Sequence, residues 1–190
     1  MDPNPLPRTN KPPSGALAFG LVAVGVLMVL GAVIYLAASS GGRDSLAPGG
    51  PARIGVRLGS FSLTDLNGKT VQLSDFAGRP VLVNAWATWC PPCQREMPDL
   101  NAYYQKYRSQ GFVVLGVNAG ETASQASTYA LQLNLTFPIL LDPDESLMDT
   151  LHINDYPTSI LVGRDGVVKA IHIGLMTPQN MESEITPFLN

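Results

Sequence analysis

Cysteine is scarce in this chain: 190 residues contain two, at positions 90 and 93. A framework of structural disulfides is thereby excluded, and so is a four-thiolate zinc site, because no second pair exists to complete the ligands. Histidine is as scarce. His152 and His172 stand twenty positions apart with no cysteine spacing around either, so both are expected to be partly exposed non-ligands. No repeat and no phosphate-cradling glycine loop occurs, and Gly163-Arg164-Asp165-Gly166 has the form of a turn between strands. Excess positive charge is missing too: residues 57–190 carry eight basic and thirteen acidic side chains, which argues against nucleic acid as a partner.

Charge of either sign is absent from Ala16 to Ala38. As a helix rising ~1.5 Å per residue this run reaches ~35 Å, enough to cross a ~30 Å hydrocarbon layer with some tilt. Residues 16–38 are therefore expected to form one transmembrane anchor. The alternative is a cleaved signal peptide, for which Ala37-Ala38-Ser39 supplies small residues, but its apolar core runs only ~7–15 residues. Residues 1–15, rich in proline, read as a cytoplasmic tail, and residues 39–56, rich in Gly, Ser, Ala and Pro, as a flexible linker. Basic residues flank the run on both sides, Arg8 and Lys11 before it and Arg43, Arg53 and Arg57 after it, so charge alone does not orient the span. A thiol pair makes most sense where disulfides form, which places residues 57–190, one domain, on the extracytoplasmic side of what is expected to be a bacterial cell membrane.

Both cysteines fall in Trp89-Cys90-Pro91-Pro92-Cys93. The two-residue gap allows the sulfurs to bond to each other or to stand as a dithiol, a reversible redox switch. A static bridge or half of a metal site is the blander alternative, although closing so short a loop stabilises little. Val81–Trp86 reads as a strand buried on both faces and Pro91–Gln110 as a helix ended by Gly111. Cys90 then lies at a helix N-terminus, where the dipole and free N–H groups favour a thiolate, whereas Cys93 lies one turn in. Cys90 is accordingly the expected attacking thiol and Cys93 the resolving one. Both intervening residues are prolines with no N–H to offer the sulfur, so the thiolate is less stabilised and the pair is expected to donate electrons.

The rest of the domain reads as a hairpin around Asn67-Gly68, a strand over 112–118, a helix over 122–133, a strand over 137–141, a helix over 146–151, a second hairpin of 158–162 with 167–173, and a last helix from Thr177 to about Leu189. Such an order gives a mixed sheet with helices on both faces, an α/β sandwich. Glu96, three residues past Cys93, could lie beneath the sulfurs as a proton acceptor, but on spacing alone a solvated surface glutamate is the favoured reading. Pro98 is expected to kink the helix just beyond and so to turn Glu96 inward. Tyr156-Pro157 by pattern alone is an ordinary trans turn. Trp89, beside Cys90, is a candidate for the rim that meets substrate.

Trp86-Ala87-Thr88-Trp89-Cys90-Pro91-Pro92-Cys93, with Glu96, Pro98 and the later Tyr156-Pro157-Thr158, resembles the thioredoxin superfamily and, within it, the membrane-anchored TlpA/ResA-like thiol-disulfide oxidoreductases. The resemblance covers about residues 57–190. It implies a thioredoxin-like three-layer sandwich with an N-terminal hairpin and a helix-and-strand insertion near 122–141. It makes Cys90 and Cys93 the redox disulfide, Glu96 an active-site acid, and Pro157 a cis proline that faces the disulfide. Trp89, Pro91, Tyr156 and Pro157 become candidate substrate contacts. In plain thioredoxins the position six before the first cysteine is a buried aspartate. Here it is Asn84, which cannot take that proton, so the role passes to Glu96 or water. No cofactor and no metal is implied. The implied partners are disulfides of proteins such as apocytochrome c or copper-delivery proteins, with electrons from a membrane thiol carrier. A copper carrier using the two thiolates and a disulfide-forming oxidase are the alternatives. A peroxidase is weaker, for want of a peroxidatic cysteine signature.

Overall fold

Val81–Trp86 is buried at every one of its six positions, which requires cover on both faces of its sheet. The computed structural model describes residues 50–189; the tail, the apolar run and the linker up to residue 49 lie outside the described residues. The elements are β1 (Ser62–Asp65), β2 (Thr70–Gln72), β3 (Val81–Trp86), α1 (Pro91–Tyr107), β4 (Val113–Ala119), α2 (Ala123–Gln132), β5 (Ile139–Asp142), α3 (Ser146–Leu151), β6 (Thr158–Val162), β7 (Val168–Ile173) and α4 (Pro178–Glu184). The strands form one mixed sheet in the order β2-β1-β5-β4-β3-β6-β7. β3, β4 and β5 run parallel, while β6 is antiparallel to β3.

The alternation of β3 divides the core into two layers. Leu82 and Trp86 point to a face covered by Met97 and Leu100 of α1, Ala126 and Ala130 of α2, and Met181 of α4. Val81, Val83 and Ala85 point to the other, covered by Leu147, Met148 and Leu151 of α3. The three layers follow. The helix and strand anticipated near 122–141 are α2 and β5, and β5 lies between β4 and β1, so it links the N-terminal hairpin to the rest of the sheet.

Several boundaries differ from the sequence reading for local reasons. α1 ends at Tyr107, and its last turn tightens to a 3-10 turn, Arg108–Gln110, before Gly111 takes a left-handed conformation with φ 91°. α4 stops at Glu184 and is followed by a 3-10 turn over Thr186–Phe188, because Pro187 has no N–H to continue the ladder. α1 continues through Pro98 to Tyr107. At the N-terminal end, Ala52 N–H donates to Leu151 O and Gly55 N–H to Val168 O, tying residues 52–56 of the linker to the domain.

Gly116 of β4 lies in register with Asn84 of β3 and packs beneath the tryptophan layer. A methyl group there would sit 2.8 Å from Phe137 Cε2, 3.0 Å from Ile139 Cδ1 and 3.2 Å from Trp86 Nε1. Gly116→Ala is expected to destabilise the domain by about 1–2 kcal/mol through overpacking, read as a lower urea midpoint at unchanged m-value. An unchanged midpoint would show that the layer has slack.

Candidate active site

β3 delivers the chain to the carboxyl end of the sheet, where residues 87–90 turn into α1. Cys90 caps that helix in an extended conformation, and its Sγ accepts the N–H of Cys93 at 3.2 Å. Pro91 and Pro92 occupy the first two helical positions. Neither has an N–H, so Cys93 supplies the donor that reaches the sulfur from this turn. Cys90 and Cys93 are joined as a disulfide with Cα atoms 5.3 Å apart, and both are buried.

Cys93, Glu96, Met97 and Leu100 recur at three- and four-residue steps on the buried stripe of α1. That periodicity carries Glu96 inward to 1% exposure, about one helical turn below Cys93. Its two carboxyl oxygens are separately held: Asn84 Nδ2 donates to Oε1 at 2.7 Å and the Met176 N–H donates to Oε2 at 2.6 Å. Asn84 Nδ2 also donates to Ser159 Oγ at 2.9 Å, while Asn84 Oδ1 has no protein partner. Burial pushes the Glu96 carboxyl up to about 7, outweighing the two hydrogen bonds and the attraction of His172, which act the other way. A carboxyl poised there exchanges a proton readily near neutral pH.

Tyr156-Pro157 lies at the same end of the sheet, because Thr158 pairs with Ala85. The Tyr156-Pro157 bond is cis, as the family resemblance implied and the pattern alone did not. Trp89 is 63% exposed and its ring meets Tyr156 edge to face, with centroids 5.9 Å apart. The Tyr156 hydroxyl donates to Glu145 Oε2 at 2.8 Å; burial and that bond raise its pKa. Pro91 is exposed beside Cys90. Thus Trp89 and Pro91 flank Cys90 in the chain, Tyr156 packs against Trp89, and the buried Pro157 follows it at the end of the sheet where the disulfide lies.

Three contributors have no signal in the sequence. Ser159 reaches Asn84 through the pairing of β6 with β3, and the Met176 N–H reaches Glu96 from the loop after β7. Ile173, 65% exposed, extends the apolar rim, since it pairs with Thr158 and the next residue, Gly174, donates its N–H to Pro157 O. His152 is exposed, while His172 is half-buried between Glu184, at 3.1 Å, and Leu175 O, at 3.2 Å. A cavity of about 430 Å³ lined by Leu58, Phe76, Val81, Val162 and Arg57 lies at the opposite ends of β3 and β6, away from the sulfurs.

Fold and site together define a class, the thiol-disulfide oxidoreductases of thioredoxin-like architecture, in which a helix-capping cysteine exchanges electrons with a disulfide. Membership is shown directly: the AhpC/TSA family model matches residues 54–171, and the chain belongs to that family. It is 39% identical over 132 residues to the thiol-disulfide oxidoreductase ResA of Geobacillus kaustophilus, covering 70% of this chain and 76% of that one. ResA of Bacillus subtilis is 34% identical over 173 residues, 89% of this chain and 90% of its own. Among solved structures, a Chlorobium tepidum protein assigned as a thiol:disulfide interchange protein DsbE superposes with a TM-score of 0.69 at 30% identity, over 73% of this chain and 99% of its own. The protein is a protein thiol-disulfide oxidoreductase.

Proposed function

We propose that the chain is a membrane-tethered, extracytoplasmic reductant of protein disulfides. The observation that carries the direction of electron flow is the single N–H, that of Cys93, reaching Cys90 Sγ from a helix turn whose first two residues are prolines. A thiolate so sparsely stabilised is a good electron donor.

In the reduced form, Cys90 thiolate attacks one sulfur of the substrate disulfide. A Cys90–substrate S–S bond forms as the substrate S–S bond breaks, and the first substrate thiolate leaves. Glu96 carboxylate takes the Cys93 proton, and Cys93 thiolate attacks Cys90 Sγ, closing the Cys90–Cys93 bond and expelling the second substrate thiolate. Two electrons have passed to the substrate. An external dithiol, supplied by a membrane thiol carrier, must reduce the pair again. The exposed Trp89 and Ile173, flanking the half-buried Tyr156 and the buried cis Pro157, form an apolar rim suited to an extended peptide around a cysteine. Apocytochrome c and copper-delivery proteins are substrates of that description.

Equilibration with glutathione tests the direction. A potential nearer ~−270 mV than ~−120 mV is expected, and a value above about −180 mV would establish a disulfide-forming oxidase instead.

A further inference from the structure

Glu121 lies two residues past the end of β4 and is 5% exposed, yet the exchange chemistry makes no use of it. Its carboxylate accepts the Thr88 N–H at 2.8 Å and Asn118 Nδ2 at 2.6 Å, and it also pairs with the Thr88 hydroxyl. Thr88 lies two residues before Cys90 in a segment with no helix or strand of its own. Its remaining polar group, the carbonyl, accepts Gln94 Nε2 at 2.7 Å. Every backbone and side-chain polar group of Thr88 is therefore held, most of them by a carboxylate from the loop after β4. A buried carboxylate with three donors is well suited to this, since charge-assisted hydrogen bonds are the stronger kind.

The Glu121 loop is itself braced. Gly120 has φ +68°, and a Cβ there would lie 2.8 Å from Glu145 Oε1. Glu145 in turn accepts the Tyr156 hydroxyl, and Tyr156 meets the ring of Trp89. Gly120 N–H and Glu145 N–H both donate to Asp142 O, so contacts run from Thr88 through Glu121, Gly120, Asp142, Glu145 and Tyr156 back to Trp89, the residue before the attacking cysteine.

We propose that Glu121 is a positioning residue that acts through Thr88 to set the direction in which Cys90 Sγ and the Trp89 ring meet a peptide disulfide. The inference rests on the reductase reading above. Attack on a disulfide needs the three sulfurs close to in line, and a peptide seated on the exposed Trp89 and Ile173 arrives from one direction only. A small alkylating reagent needs no alignment with a docked peptide. Loss of positioning therefore slows the first reaction selectively.

The test compares two rates in the reduced full-length chain: single-turnover reduction of a synthetic peptide disulfide, and alkylation of Cys90 by iodoacetamide. Glu121→Ala is expected to slow the peptide reaction about tenfold or more while alkylation stays within about twofold. Glu121→Gln should recover most of the peptide rate, because its oxygen can take the Oε2 place, accepting the Thr88 N–H and Asn118 Nδ2, while its amide donates to the Thr88 hydroxyl oxygen. Should the alanine variant not fold, Thr88→Val, which removes the hydroxyl contact and keeps the N–H, must still slow the peptide reaction selectively, by about threefold. Equal loss of both rates, or no loss in either, would overturn the positioning role. A wild-type chain that alkylates at Cys90 but leaves the peptide oxidised would overturn the reductase reading, and the inference with it.

Discussion

Cys93→Ala is expected to abolish turnover and to leave the substrate bound to Cys90 through a mixed disulfide. The reason lies in the division of labour between the two sulfurs. Cys90 sits at the helix cap at the end of the exposed Trp89 rim, whereas Cys93 is fully buried one turn further on. Only Cys93 is placed to attack Cys90 Sγ from within the domain, so its removal stops the reaction after the first bond exchange. Chain purified from cells under acid quench should carry proteins released by dithiothreitol, and mass spectrometry of the released species names the substrate. Cys90→Ala should carry none. Comparable trapping by both variants, or by neither, would contradict the assignment of Cys90 as the attacking thiol.

Glu96→Gln is expected to be more stable than wild type above pH 7 and to lose the pH dependence of stability between about pH 4.5 and 7. Burial raises the folded carboxyl to about 7 from an ordinary 4.5. Across that interval the folded domain holds a proton that the unfolded chain has released, so stability is fully present below 4.5 and falls as pH rises through 7. The shift corresponds to roughly 3 kcal/mol over the window. Glutamine carries no charge to desolvate, and rotation of the Asn84 amide would offer the otherwise unpartnered Oδ1 to its N–H groups. Urea unfolding at pH 4.5, 6 and 8 measures the slope. The same variant should slow closure of the Cys90–Cys93 bond and flatten the rate profile near pH 7. A variant with wild-type thiol pKa values and reduction rate would remove Glu96 from proton transfer.

Strands β3 and β6 were legible because burial on both faces leaves a mark in the chain itself. Val81–Trp86 and Thr158–Val162 coincide with their predicted extents, and α3 does so at Ser146–Leu151. The ends of α1 and α4 were less legible, since a 3-10 turn and an α-turn satisfy the same hydrophobic spacing and differ only in which carbonyl each N–H finds. Glu96 shows the limit most clearly. Its spacing from Cys93 is in the sequence, but a helix has several faces at that spacing, and which one is buried depends on where β3 and the loop at Met176 lie.

By itself, then, the sequence determined that this protein has one thiol switch, where on a strand-to-helix junction it sits, and that its two prolines withhold N–H groups from the sulfur. Those are properties of local order and covalent chemistry. The tertiary structure decided which distant groups surround the switch: Asn84 and the Met176 N–H on Glu96, Glu121 on Thr88, Tyr156 against Trp89. Residues up to eighty positions apart meet there because parallel strands bring loops far separated in the chain to one edge of the sheet. Burial of a carboxyl among them, rather than its place in the chain, is what moves its pKa to the range where the proton can be exchanged.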